Sequence, residues 1–308
     1  MNSNVVLVVL VTFFFTLSLS DPSSDDVIFN FYKEPEKPTK IIISKIDDLK
    51  DAGFDATHDT VLLIYSYEDP SDLETKWKLS SSIFGVVTDL NIFVVDWSAT
   101  TEKDYFKAQN SVITVGGYIA EFLTALVAKY TLKLDTVTII GWDLGAHIAG
   151  IAGKKMDTKF STIIGLDPAG PLFVKSDPSN RLIATDANFV QVIHTNALIY
   201  GYFYPCGTAD YYPNGGENQT SCGNDITGVC SHQRSLAFYV ESLTSDKFVS
   251  YKCDDYDSYQ NGTCKLEDKS IMGQFTNKID TKASGTYYLD TNDAPPYAKG
   301  LKSESIFI

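Results

Sequence analysis

"TIIGWDLGAHIAG", residues 138–150, runs from a β-branched apolar stretch into an Ala- and Gly-rich helix-forming stretch, with Gly141 and Gly145 bracketing Asp143. A sharp strand-to-helix turn that lifts one side chain above a sheet tolerates only small residues beside the tip, and this spacing predicts such a nucleophile elbow. The tip carries Asp143 where an ester-cleaving elbow carries Ser. The next backbone N–H, that of Leu144, is expected to point into the site as an oxyanion donor.

Outward from the elbow, short apolar runs alternate with longer periodic segments. The runs are TVLLIYS (60–66), NIFVVDWS (91–98), DTVTIIG (135–141), STIIGLD (161–167) and FVQVIHT (189–195). Apolar on both faces, they read as buried parallel strands flanked by helices, an α/β architecture. Val112, Val115, Ile119, Phe122, Leu123 and Leu126 recur at helical spacing, predicting a helix that continues to about Tyr130. Residues 22–40, with Pro35 and Pro38, read as an irregular arm, and the tail after Asp293 as a loose end. The chain shows no internal repeat and no low-complexity linker.

Asp167 closes the run IIGLD and precedes Pro168, which puts its carboxylate at the carboxyl end of a strand, where open α/β sheets gather function. His232 follows. Tip residue, acid, His is the chain order of an α/β-hydrolase triad. From the residues alone His194 is an equal candidate for the base. His147 is expected to pack behind the elbow and His58 to lie in a loop.

The first 20 residues hold no charge, are apolar from Val5 to Leu17 and end Ser18-Leu19-Ser20, which reads as a secretory signal. The run is too short to span a membrane, no later stretch is expected to do so, and residues 21–308 read as one domain. Formal charge is −14. That excludes nucleic acid and anionic membranes as favoured partners. All five cysteines lie in the last third, and in an exported chain the close pairs Cys222–Cys230 and Cys253–Cys264 are the natural bridges. Cys206 is left over, either buried and inert or paired to another chain. Asn218 (NQT) and Asn261 (NGT) are glycosylation acceptors in the same third.

GWDLGAHIAG, IIGLDPAGPLF, RLIATDANFVQVIHTNA, ADYYPNGGENQTSC and CSHQRSLAFYVESL together resemble the pancreatic lipase family, with its lipoprotein lipases, insect phospholipases A1 and fly yolk proteins, from about Thr60 to Asn292. The resemblance implies an α/β-hydrolase fold without the C-terminal β-sandwich of longer members. It makes Asp143, Asp167 and His232 the triad positions and needs no cofactor. The family's Gly-His-Ser-Leu-Gly elbow is altered at Trp142 and Asp143. Its Ile-His-Gly-Phe oxyanion stretch is replaced by Ile64-Tyr65-Ser66-Tyr67, so Tyr65 and Ser66 join Trp142 and Leu144 as oxyanion or pocket residues. The family's calcium loop keeps Arg181 and Asp186 but has Ile183 and Thr185 where oxygen ligands are common, and no bound metal is expected. Only seven residues separate Cys222 from Cys230, where the family carries its lid. The aromatic stretch ALIYGYFYP (197–205), with Tyr211 and Tyr212, reads as packing or as pocket lining.

A carboxylate attacking an ester leaves again more readily than an alkoxide does, so turnover at Asp143 is disfavoured. The expectation is an exported, catalytically retired lipase homologue that binds an apolar molecule or lipid, or serves storage or structure. Hydrolysis at saturated carbon with Asp143 as nucleophile is the alternative. Residual ester hydrolysis ranks third.

Overall fold

The computed structural model describes residues 22–302 apart from 36, 68–72, 102, 198, 221 and 276–277, with the side chains of 73–78 left aside. The expected signal segment lies outside the described residues.

All five anticipated strands form. They are β3 (Asp59–Ile64), β4 (Leu90–Asp96), β5 (Val137–Trp142), β6 (Thr162–Leu166) and β7 (Phe189–Ile193). With β8 (Ala209–Pro213) and β11 (Gly285–Leu289) they make a parallel block ordered β4-β3-β5-β6-β7-β8-β11. β1 (Ile28–Tyr32) and β2 (Pro38–Ile41) extend the β4 edge antiparallel, and β9 (Val249–Lys252) and β10 (Lys269–Ile271) extend the β11 edge the same way.

The irregular arm is thus corrected. Pro38 opens an outermost strand, a position where a missing backbone N–H costs no ladder bond, and Phe29 and Phe31 of β1 are buried. The loose tail is corrected as far as Ala298. Glu241 accepts the Tyr297 and Ala298 N–H groups at 2.7 and 2.8 Å, and both residues are buried.

Besides the one-turn α1 (Asp48–Asp51), longer helices cover both faces. On one side, α3 (Tyr105–Tyr130) and α4 (Leu144–Lys155) pack into one apolar cluster; on the other, α2 (Leu73–Val86) and α5 (Val229–Ser242) pack into a second. The 26-residue α3 is long and apolar enough to cross a membrane, which corrects the expectation that no later stretch comes close. Its apolar stripe (Val112, Val115, Ile119, Phe122, Leu123, Leu126) is buried in the core, as in a helix spent on its own sheet.

Candidate functional site

β5 ends at Trp142 and α4 begins at Leu144, so the elbow turns on Asp143 alone. Its backbone sits at φ 56°, ψ −120°, a region that costs a non-glycine residue about 1–3 kcal/mol. The surrounding backbone holds it there. The Asp143 N–H donates to the Leu166 carbonyl at 3.1 Å, and the Asp143 carbonyl accepts from the Ala169 N–H at 3.2 Å. The glycines are steric necessities. A Cβ at Gly141 would stand 2.4 Å from the Gly145 carbonyl oxygen, and one at Gly145 would stand 2.0 Å from that of Ile64.

Asp167 lies just beyond β6 and is fully buried. Its Oδ1 accepts the Thr195 and Asn196 N–H groups at 2.7 and 3.0 Å, and its Oδ2 lies 2.6 Å from His232 Nδ1. Of the two histidine candidates, His232 is the one brought to Asp167. His194 is instead buried against Asp210, with Nε2 2.8 Å from Oδ1, and is stacked on Tyr212. Because the fully engaged Asp167 faces Nδ1, that nitrogen carries a proton, and His232 turns Nε2 toward Asp143 Oδ1 at 3.5 Å. The separation allows an ion pair but is long for a hydrogen bond.

The tight partners of Asp143 lie elsewhere. Ser66 donates its hydroxyl to Oδ2 at 2.5 Å, and the Leu144 N–H lies close enough to the carboxylate to favour its charged form. Burial pushes this carboxyl above its ordinary range, while the charge of His232 and those two donors pull it back. The Asp143 side chain is thus held at the elbow tip by the Ser66 hydroxyl.

Of the other expected residues, Trp142 is half-buried with its ring centroid 4.9 Å from that of His232, and its Nε1 is buried with no acceptor among the described residues. Tyr65 is buried in the apolar layer of α2 and α5, and its carbonyl accepts from Trp97 Nε1 at 3.0 Å. The aromatic stretch divides: Tyr202, Tyr211 and Tyr212 are buried packing, whereas Tyr200 is exposed and lies 5.1 Å from the His232 ring. Sequence reasoning missed Tyr105, whose phenol is pushed up by burial and by the charge of Asp143, and which pairs edge-on with Tyr67 at 5.8 Å. It opens α3, far along the chain, and no local pattern marks it.

Behind the elbow, His147 is buried, accepts the Leu182 N–H at Nδ1 (3.0 Å) and donates from Nε2 to the Ala169 carbonyl (2.8 Å). Burial drives its pKa down to about 3. Both expected disulfides form, with Cα separations of 5.7 and 5.3 Å. Cys206 is buried, which corrects the intermolecular alternative, since a bridge to another chain needs an exposed sulfur. It adjoins His194 and Asp210. The Asp210 Oδ1 already accepts the Cys206 and Gly207 N–H groups besides facing His194, and this structural role accounts for the cluster. Asn218 and Asn261 are both exposed.

Arg181 and Asp186, the remnant of the expected calcium loop, meet an ammonium. Lys154 Nζ donates to the Arg181 carbonyl at 2.8 Å and to Asp186 Oδ2 at 2.6 Å. Burial pulls the amine down and pushes the carboxyl up, toward their neutral forms, against the pull of the contact itself. The short distance is that of a charge-assisted bond.

A family model described as Lipase matches residues 11–297. Human pancreatic lipase-related protein 3 is 36% identical over 242 residues, 68% of this chain and 51% of the relative. Rat lipoprotein lipase is 30% identical over 289 residues, 85% of this chain and 61% of the relative. Rabbit lipase member H is 41% identical over 187 residues, 58% of this chain and 41% of the relative. The chain therefore spans about half the length of these curated relatives. Among solved structures, an α/β hydrolase from a deep-sea metagenome library aligns with TM-score 0.34 and 16% identity, over 47% of this chain and 59% of that one.

Proposed function

Because the chain belongs to the lipase family, we propose that it is an exported, glycosylated member that has given up ester hydrolysis and binds an apolar ligand at the mouth of the old active site. One observation carries this reading: the Asp143 carboxylate takes the Ser66 hydroxyl for itself and stands beside the Leu144 N–H. An ester carbonyl entering the site finds the Ser66 hydroxyl taken and a carboxylate beside the Leu144 N–H. One missing oxyanion donor costs about 3 kcal/mol of transition-state stabilisation. A carboxylate nucleophile adds the poor partitioning of its adduct back to substrate. Both losses fall on the same step.

Ligand binding draws support from the rim. Phe106, Leu172, Ile199, Tyr200, Ile226 and Val229 are exposed apolar side chains. Tyr200 reaches His232, Ile199 packs near Gly228 at the start of α5, and Phe106 adjoins Tyr105. Trp142 Nε1 offers a buried donor with no acceptor among the described residues, a deficit of about 1–3 kcal/mol that a ligand oxygen would relieve. The names of the lipase relatives suggest a lipid.

The test is hydrolysis of short- and long-chain esters by the wild type and Asp143→Ser. The wild type stays at background, while the Ser variant, facing an intact Asp167–His232 pair, gains activity. Robust wild-type turnover would sink the reading.

The assembled Asp143, His232 and Asp167 favour a second reading, displacement at saturated carbon with the Asp143 carboxylate as nucleophile. A single turnover on an epoxide or haloalkane in heavy-oxygen water then labels Asp143. Product without label removes this alternative.

A further inference from the structure

We propose that the Lys154 ammonium stands in for a divalent cation, tying the elbow helix α4 to the 181–186 loop, so that this chain holds its site together without calcium. The inference is independent of whether the old site hydrolyses anything.

The family resemblance places a calcium loop here, and the residues present do not fit the ion. Calcium takes six to eight oxygens. Of the loop residues, Arg181 offers its carbonyl and Asp186 its carboxylate, whereas Ile183 offers no side-chain oxygen and Thr185 faces solvent. The Asp186 Oδ2 already accepts the Ile183 N–H at 2.8 Å, and Lys154 Nζ takes both that oxygen and the Arg181 carbonyl.

The local charge also turns a dication away. Lys159 bonds the Gly153 carbonyl at 2.7 Å, and the Arg181 guanidinium donates to the Val174, Lys175 and Leu182 carbonyls. Lys154 and Lys159 thus both act on the Asp186 carboxylate, and the Arg181 charge acts on Lys154. An ammonium with three donors satisfies two oxygens at a cost in repulsion that a doubly charged ion would double.

The placement explains what the contact does. Lys154 lies in the last turn of α4, whose first residue follows Asp143. α4 presses on the loop so closely that a Cβ at Gly153 would stand 1.9 Å from the Asp186 carbonyl oxygen. The Asp186 side chain is 1% exposed and that of Lys154 22%, so the pair is largely shielded from water. The elbow helix and the loop that receives His147 at Leu182 are therefore fastened by a cation that the chain supplies itself.

Thermal melts of the wild-type protein with a chelator and with millimolar calcium test this directly. The melting temperature is expected to be the same in both. Lys154→Met, which keeps the stem and removes the charge, is expected to melt about 5–10 °C lower, because a buried carboxylate loses its partner. Added calcium does not restore it, and Lys154→Arg stays near the wild type. Chelator destabilisation of the wild type, a calcium-dependent rise in its melting temperature, or an unchanged melt for Lys154→Met would each overturn the proposal. The wild-type arm decides even if the Met variant does not fold.

Discussion

Acidification should loosen the back of the site through His147. Its imidazole is neutral in the fold, with one nitrogen accepting from Leu182 and the other donating to Ala169. Burial lowers its pKa from 6.5 to about 3. The unfolded chain therefore takes up a proton on this residue as the pH falls below 6.5, and the folded chain does not until about 3. The stability that the depressed value contributes is fully present above the unfolded pKa and is lost as pH falls toward the folded one. Within that window the loss is about 1.4 kcal/mol per pH unit, so a drop of two units removes roughly 2.7 kcal/mol. For a chain of this size that is a fall in melting temperature of about 4–5 °C.

Other groups titrate in the same range, so the assay compares wild type with His147→Gln, whose amide reaches similarly but does not ionise. Denaturant unfolding at a series of pH values should show the variant less stable at neutrality, with the gap closing by roughly 2–3 kcal/mol on acidification. Parallel curves would mean that His147 is protonated or solvated in the fold, and would refute the reasoning.

Asp143 titrates with the opposite sense. Burial raises its folded pKa, so any stability it contributes is present below the ordinary carboxyl value and is lost as pH rises through the folded one. Asp143→Asn should gain on the wild type as pH rises from acid to neutral, in paired melts, and a constant difference would contradict the raised value. The two carboxylates of the site, with one imidazole between them, disfavour an anionic ligand. Displacement of a fluorescent apolar probe should rank a neutral monoacylglycerol above the corresponding fatty-acid anion, with Asp143→Asn narrowing the gap; an anion bound more tightly by the wild type would argue against a charged Asp143.

The elbow, the five parallel strands and α3 were legible because each is written in local pattern: small residues where backbones touch, apolar runs at strand length, and a stripe at helical spacing. Asp167 and His232 were legible as an ordered pair, but only the fold separated His232 from His194, which is an equally buried histidine with its own carboxylate. The edge strands β1 and β2 were hidden by prolines that an outer strand accommodates. The strand β8 was hidden because Tyr211 and Tyr212 read as packing or pocket lining, whereas the Tyr211 ring stacks on that of Tyr287 in β11 at 5.2 Å. The posture of Asp143 was not legible, because it depends on a hydroxyl 77 residues earlier in the chain. Lys154 was likewise invisible as a counter-ion. Its partners lie 27 and 32 residues away, and nothing in a lysine at a helix end says which carbonyl it will meet.

The central claim is that a carboxylate occupies the seat of both the nucleophile and the oxyanion, and a fluorophosphonate probe reports on that seat. Intact-mass spectrometry after incubation should show the wild type unmodified and Asp143→Ser carrying one phosphonyl group at position 143. A wild-type protein phosphonylated at an active-site hydroxyl such as Ser66, at a rate comparable to that of the Ser variant, would contradict the account.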